Sequence, residues 1–197
     1  WMLAMACGKE DPTEQEAVTT MLLRQRIDGL LIVLAGNPTP NLMRLIQAGT
    51  PVVAIDRDAG DHPAATIVAD PTEALSDLAA HLIDEGYRRP TIIGGPAFVS
   101  TGGPRAELAR QALVGAGFDP AAISVFEGDF SVESGCRAAR EALGQAERPD
   151  VIIALSNLMT LGAMEVLHEA GLEVGPDIGL AGYDDERWFT IARPSIT

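Results

Sequence analysis

The sequence predicts an α/β protein in which helices cover both faces of parallel sheet. Three observations carry this. Short apolar runs alternate with amphipathic segments along the whole chain, the βαβ rhythm of buried parallel strands. The amphipathic segments open on explicit helix-start signals and close on glycine. The composition, 47% hydrophobic with 21% charged residues, 20 Gly and 13 Pro, is that of a compact soluble protein. The 197 residues fit one large domain or two lobes of about 100 residues each.

The strands are expected at Met2 to Ala6, Leu30 to Leu34, Val52 to Ile55, Thr66 to Val68, Thr91 to Ile93, Ser124 to Phe126, Val151 to Leu155 and Ile178 to Ala181. Two helices share one opening, Asp11-Pro12-Thr13-Glu14 and Asp70-Pro71-Thr72-Glu73. In that pattern Asp caps the orphan N–H groups, Pro takes the first position where no donor is missed, and Glu lies near the positive end of the dipole. In the second of these helices Ala74, Leu75, Leu78, Ala79, Leu82 and Ile83 share a face, and Gly86 ends it. Further helices are expected over Glu107 to Gly115, Ser131 to Leu143 and Leu158 to Ala170.

Charge and motif content exclude several function classes. With 28 acidic and 14 basic residues the net charge is -14, so this polypeptide repels nucleic acid, and any DNA contact lies in another segment. No run reaches the roughly 18 apolar residues a membrane span needs. The apolar start lacks a basic region before it and reads as a strand, not a secretory leader. Cys7 and Cys136 lie far apart without a CxxC, as reduced cytosolic thiols do, and a single disulfide between them stays open. His62, His81 and His168 have no metal-ligand spacing, and no metal or cofactor is expected. "GGPAFVSTGGPR" follows a strand but lacks the GK[ST] of a phosphate loop, and reads as a flexible lead into the helix carrying Arg105. No nucleophile signature occurs, so binding without bond-making is expected.

In open parallel sheets, ligands bind beyond the carboxyl ends of the strands. The residues there are Asp56-Arg57, the loop to Arg105, Gly128-Asp129-Phe130, Ser156-Asn157 and Gly182 to Asp185. Any one of these also reads as a helix cap or solvated turn. Together they form a set suited to hydroxyl groups, with carboxylates accepting and guanidinium groups donating in a fixed fork. Phe130 is either the apolar face on which a sugar ring stacks or a core aromatic.

Seven stretches, in order along the chain, carry a family resemblance: "RQRIDGLLIV" (24–33), "TPVVAIDRD" (50–58), "AAHLIDEGYRRPTIIGGP" (79–96), "STGGPRAELARQAL" (100–113), "EGDFSVESG" (127–135), "LMTLGAMEVLHEAGLEVGPDIGLAGYDD" (158–185) and the final "RPSIT". The chain resembles the effector-binding core of the lactose-repressor/galactose-repressor (LacI/GalR) family of bacterial transcription regulators. The resemblance implies two Rossmann-like lobes of the periplasmic-binding-protein-like type I fold, with a small molecule in the cleft between them. The lobes would be residues 1–69 and 70–193, with 194–197 starting the crossover back. It points to Asp56, Arg57, Arg105, Phe130, Ser156 and Asp184 as effector-binding residues, to Asp185 as a turn residue, and to Asp70 as both helix cap and hinge.

The implied function is allosteric control of operator DNA by a small-molecule effector, in a cytoplasmic homodimer. The effector would be a sugar, with a nucleoside as the alternative. Ser156-Asn157 stands where the family has Asn-Asp, which removes a carboxylate and an amide from one wall of the site. Leu108-Ala109 replaces a Gly-aromatic pair. Trp1 without a preceding Met, and the lack of a helix-turn-helix headpiece, a first core strand and helix and a final segment, lead to the expectation of a piece of a longer product. An exported sugar-binding protein of the same fold is the alternative function, and an enzyme the third.

Overall fold

The computed structural model describes residues 4–6 and 11–197. The expected strand over Met2 to Ala6 falls largely outside them, as does Cys7; Ala4 to Ala6 carry no regular structure. The chain divides into two compact units, Trp1–Asp70 with Phe98–Thr101, and Pro71–Ala97 with Gly102–Thr197.

The smaller unit holds three parallel strands, β1 (Leu30–Ile32), β2 (Val52–Ile55) and β3 (Ala65–Ile67), in the order β1-β2-β3. Its helices are α1 (Pro12–Gln25) and α2 (Pro40–Gln47). α1 opens as the sequence predicts: Asp11 is the cap, its carboxylate accepts from Thr13 N at 2.7 Å, and Pro12 takes the first turn. α2 was not anticipated; it starts behind Thr39 with Pro40 in its first turn and buries Leu42 and Leu45. One face of the sheet feeds a core of Leu34, Leu42, Val52, Ala54 and Ala59. The alternation of the pleat puts Leu31, Ile55 and Ile67 on the other face, where they are exposed.

The larger unit holds β4 (Pro90–Gly94), β5 (Ser124–Glu127), β6 (Val151–Ala154) and β7 (Gly179–Gly182), all parallel, in the order β5-β4-β6-β7. The central strands β4 and β6 are buried at every residue, as continuous apolar runs predict. α3 (Thr72–Asp84) and α4 (Gly103–Ala116) bury Leu75, Ala79, Leu82, Ala109 and Leu113 with Ile92, Val151 and Ile153. α5 (Val132–Leu143) and α6 (Asn157–Glu169) bury Ala138, Met159, Ala163 and Val166 with Ile93, Ile152 and Leu180. The sheet thus has one core on each face. α5 and α6 approach so closely at Gly162 that a side chain there would overlap the Val132 carbonyl.

Several boundaries move. α3 has its cap position at Pro71 and begins at Thr72, so the cap is not Asp70 as expected. α4 begins at Gly103, earlier than Glu107, because Pro104 suits its first turn. A short 3-10 turn (Pro120–Ala122) and a last helix, α7 (Arg187–Ile191), carry no periodic pattern long enough to read from sequence. The closing residues pack within the larger unit: Ile196 is buried, and Gly182 N donates to Thr197 O at 2.7 Å. Among the described residues no helix is long and apolar enough to cross a membrane.

Candidate functional site

The carboxyl end of the larger sheet is organised around Arg105. It lies in the first turn of α4, and its Nη1 donates to the Leu155 carbonyl at 3.2 Å. Its guanidinium carbon sits 3.9 Å from the centre of the Tyr183 ring, a cation–π geometry. One side chain thereby joins Leu155 and Tyr183, the residues that directly follow β6 and β7 and directly precede Ser156 and Asp184. Of the residues expected at the site, Arg105 makes this junction and two others, Ser156 and Asp184, adjoin it in the chain. Tyr183, which makes the junction, was not singled out from sequence; its signal is the aromatic directly before the carboxylate pair.

Ser156 is the cap of α6, with its Oγ accepting from Met159 N at 3.2 Å, and is only 8% exposed. Its backbone carbonyl accepts both Thr160 N and the Thr160 hydroxyl. The cap bond uses the Ser156 oxygen as acceptor and leaves the hydroxyl hydrogen to donate. Asn157 donates from Nδ2 to Glu186 Oε1 at 2.9 Å, tying the start of α6 to the segment after β7.

Asp56, Phe130 and Asp184 share a feature that no sequence pattern announced: each takes positive φ, 67°, 66° and 74°. Left-handed backbone at a non-glycine residue is uncommon and clusters where a side chain must be aimed. Asp56 and Asp184 are exposed, and each follows closely on a strand, β2 and β7 respectively. Phe130 is half-buried and lies over Gly95, where any added β-carbon would overlap its ring. It also packs on the α5–α6 core, so the core-aromatic reading holds at least for part of the ring. The turn before it is fastened by Asp129, whose carboxylate accepts from the backbone and hydroxyl of Ser131. Those bonds, the Ser131 hydroxyl first and then Ser134, hold the Asp129 carboxyl below the usual carboxylate range.

In the smaller unit Arg57 is 6% exposed and donates from Nη1 to the Leu34 carbonyl at 2.6 Å. A buried arginine engaged with backbone fixes the segment that follows β1. Gln15 of α1, which sequence reading passed over, lies 4% exposed and accepts from Ala35 N at 2.8 Å. Asp58 N donates to the Ser100 hydroxyl at 2.9 Å, and Val99 beside it is 3% exposed. At the base of the lead into α4, Gly103 N donates to Pro96 O at 3.1 Å. Asp70 is exposed and lies directly before Pro71, where the division between the units falls.

Among the described residues no three His, Cys, Asp or Glu side chains gather as metal ligands. His81 and His168 are exposed on their helices.

Two compact units, each built on a parallel sheet, define the α/β class to which the chain belongs. The chain belongs to the family of periplasmic binding proteins and sugar-binding domains of the LacI family, which residues 2–186 match. It is 33% identical over 199 residues to the transcriptional regulator CelR of Thermobifida fusca, covering 100% of this chain and 58% of that protein. It is 31% identical over 205 residues to the transcriptional repressor PurR of Klebsiella pneumoniae, again 100% and 58%. The chain thus spans little more than half the length of these curated relatives.

Among solved structures, a CelR–cellobiose complex superposes with a TM-score of 0.80 at 32% identity, over 94% of this chain and 57% of that one. A probable LacI-family regulator from Corynebacterium glutamicum superposes at 0.86 with 25% identity, over 95% and 71%.

Proposed function

We propose that the chain is the effector-binding core of a bacterial transcription regulator that takes a small molecule, a sugar, at the carboxyl ends of its sheets. The observation that carries the reading is the junction of Arg105, Leu155 and Tyr183, which ties a guanidinium to the residues directly before Ser156 and Asp184. Arg105 donates to ligand oxygens, Asp184 and Asp56 accept from hydroxyls, Ser156 donates, and Phe130 offers an apolar edge. Arg57 acts from behind by holding the segment after β1, and Asp70 marks the hinge. The names of its relatives, regulators and a repressor among them, favour this role over export as a transport protein.

In the whole protein, effector bound preferentially to one of two conformations would shift operator affinity, and operator DNA would shift effector affinity by the same factor. The acidic core leaves DNA contact to a separate segment, and a two-fold dimer in the cytoplasm fits reading of paired half-sites. None of this asks for a catalytic step.

Calorimetric titration with cellobiose, a panel of other mono- and disaccharides, and purine nucleosides tests the reading. A sugar at a hundredfold its Kd should add about 2.7 kcal/mol of stability. Arg105→Ala and Asp184→Ala should abolish the effect. Binding left unchanged in both variants overturns the site, and a nucleoside binding where no sugar does overturns the sugar assignment.

A further inference from the structure

Arginine reaches its guanidinium through a long flexible stem, so a lone arginine at a binding site is poorly aimed until ligand arrives. Arg105 has two restraints that differ in kind. The guanidinium carbon lies over the Tyr183 ring, 3.9 Å from its centre, so the ring bounds one side of the guanidinium and restricts its movement. The Leu155 carbonyl, 3.2 Å from Nη1, takes one in-plane hydrogen and fixes rotation within the plane. Among the described residues no carboxylate forms an ion pair with Arg105, so the π face and a carbonyl dipole are what its charge meets. Tyr183 and Leu155 are themselves placed by the ends of the adjacent strands β7 and β6, which pair in register from Val151↔Gly179 to Ala154↔Gly182.

We propose that Tyr183 is the positioning residue of the effector site: its ring holds the Arg105 guanidinium so that the remaining in-plane N–H groups are presented before ligand binds. The proposal rests on reading Arg105 as the effector-contacting arginine. It gives the site a chemical preference. With one side bounded by Tyr183, the guanidinium offers its edge, and an edge of parallel N–H groups matches two neighbouring oxygen acceptors, such as a vicinal diol.

The test uses the full chain, labelled with 15N and 13C, in wild-type, Tyr183→Phe and Tyr183→Leu forms, with Arg105→Lys to assign the arginine signals. In the ligand-free wild type the Arg105 Nε–H and Cζ resonances should show ring-current shifts and a rigid Nε–H vector. Tyr183→Phe should keep both, and Tyr183→Leu should lose both while the thermal midpoint stays close to that of Tyr183→Phe. With cellobiose as probe, Tyr183→Leu should raise Kd about 5- to 30-fold, the range expected for loss of a partly desolvated cation–π contact. Tyr183→Phe should stay within about twofold. A wild-type Arg105 that is mobile and unshifted overturns the proposal, even if Tyr183→Leu does not fold. So does a folded Tyr183→Leu protein that binds cellobiose as tightly as wild type. If wild type ignores cellobiose, the sugar reading fails for that probe, while the ligand-free signals still decide whether Tyr183 aims Arg105.

Discussion

Arg57 and Gln15 grip a single peptide unit from its two sides. Arg57 Nη1 donates to the Leu34 carbonyl at 2.6 Å, and Gln15 Oε1 accepts from the Ala35 N–H at 2.8 Å. Both side chains are buried, so the Leu34–Ala35 peptide that leaves β1 has its donor and acceptor satisfied away from water. Gln15→Leu should therefore cost about 1–3 kcal/mol by leaving the Ala35 N–H without an acceptor. Gln15→Glu, which keeps an oxygen there, separates loss of the acceptor from change of shape. Urea denaturation of the two variants is the check. A loss below about 0.5 kcal/mol for Gln15→Leu would mean the clamp is ornamental.

Gly95 and Phe130 form a lock in the larger unit. Because a β-carbon at Gly95 would overlap the ring, Gly95→Ala should displace Phe130 and cost about 1–3 kcal/mol, the usual range for overpacking. Phe130→Ala should open the space, so the double variant should lose less than the two single losses together. Strict additivity would show that the ring does not rest on Gly95.

Asp129 gives a signed pH dependence. Its folded pKa lies below the unfolded value of about 3.9, chiefly through the Ser131 hydroxyl. The stability it contributes is fully present above that unfolded value and is lost as pH falls through the lowered folded one. Denaturation midpoints of wild type and Asp129→Asn should differ most from about pH 5 upward and converge in acid. A gap that stays constant from pH 7 to pH 3 would contradict the assignment.

Cys136 should be a slow nucleophile. Burial, and then the hydrogen bond and charge of Glu165, push its thiol above the ordinary range, and its Sγ donates to the Gly162 carbonyl at 3.3 Å. In a Cys7→Ser background, the pH profile of iodoacetamide alkylation should have its midpoint above the roughly 8.5 of a free thiol. Glu165→Gln should bring it partway down. A midpoint at or below the free-thiol value is the outcome that sinks this.

Much of the fold was legible because it rests on local chemistry. The Asp11-Pro12 opening and the buried runs of β4 and β6 depend on a few neighbouring residues, so the strings that encode them can be read directly. α7 was not legible because a five-residue helix has no period to display. Asp70 misled because the same tetrapeptide pattern that caps α1 is used with the cap position one residue later in α3. At the candidate site, strand ends alone nominated Arg105, Ser156 and Asp184. What sequence could not supply was which groups they meet, since the bond from Arg105 to Leu155 spans 50 positions along the chain. Nor could it supply the positive φ of Asp56, Phe130 and Asp184, since Asp, though enriched in that conformation, lies far more often outside it, and Phe ordinarily avoids it.

The membership of Phe98–Thr101 in the smaller unit bears on how this gene can be cut and shuffled. A break after Asp70 would release a fragment missing the Ser100 hydroxyl from the Asp58 amide, while the other fragment would carry an orphaned tetrapeptide inside its β4–α4 connection. Swapping the smaller unit between homologous genes therefore needs two exchanges, one ending near residue 70 and one replacing 98–101. A chimera made with the first alone inherits a mismatched seam.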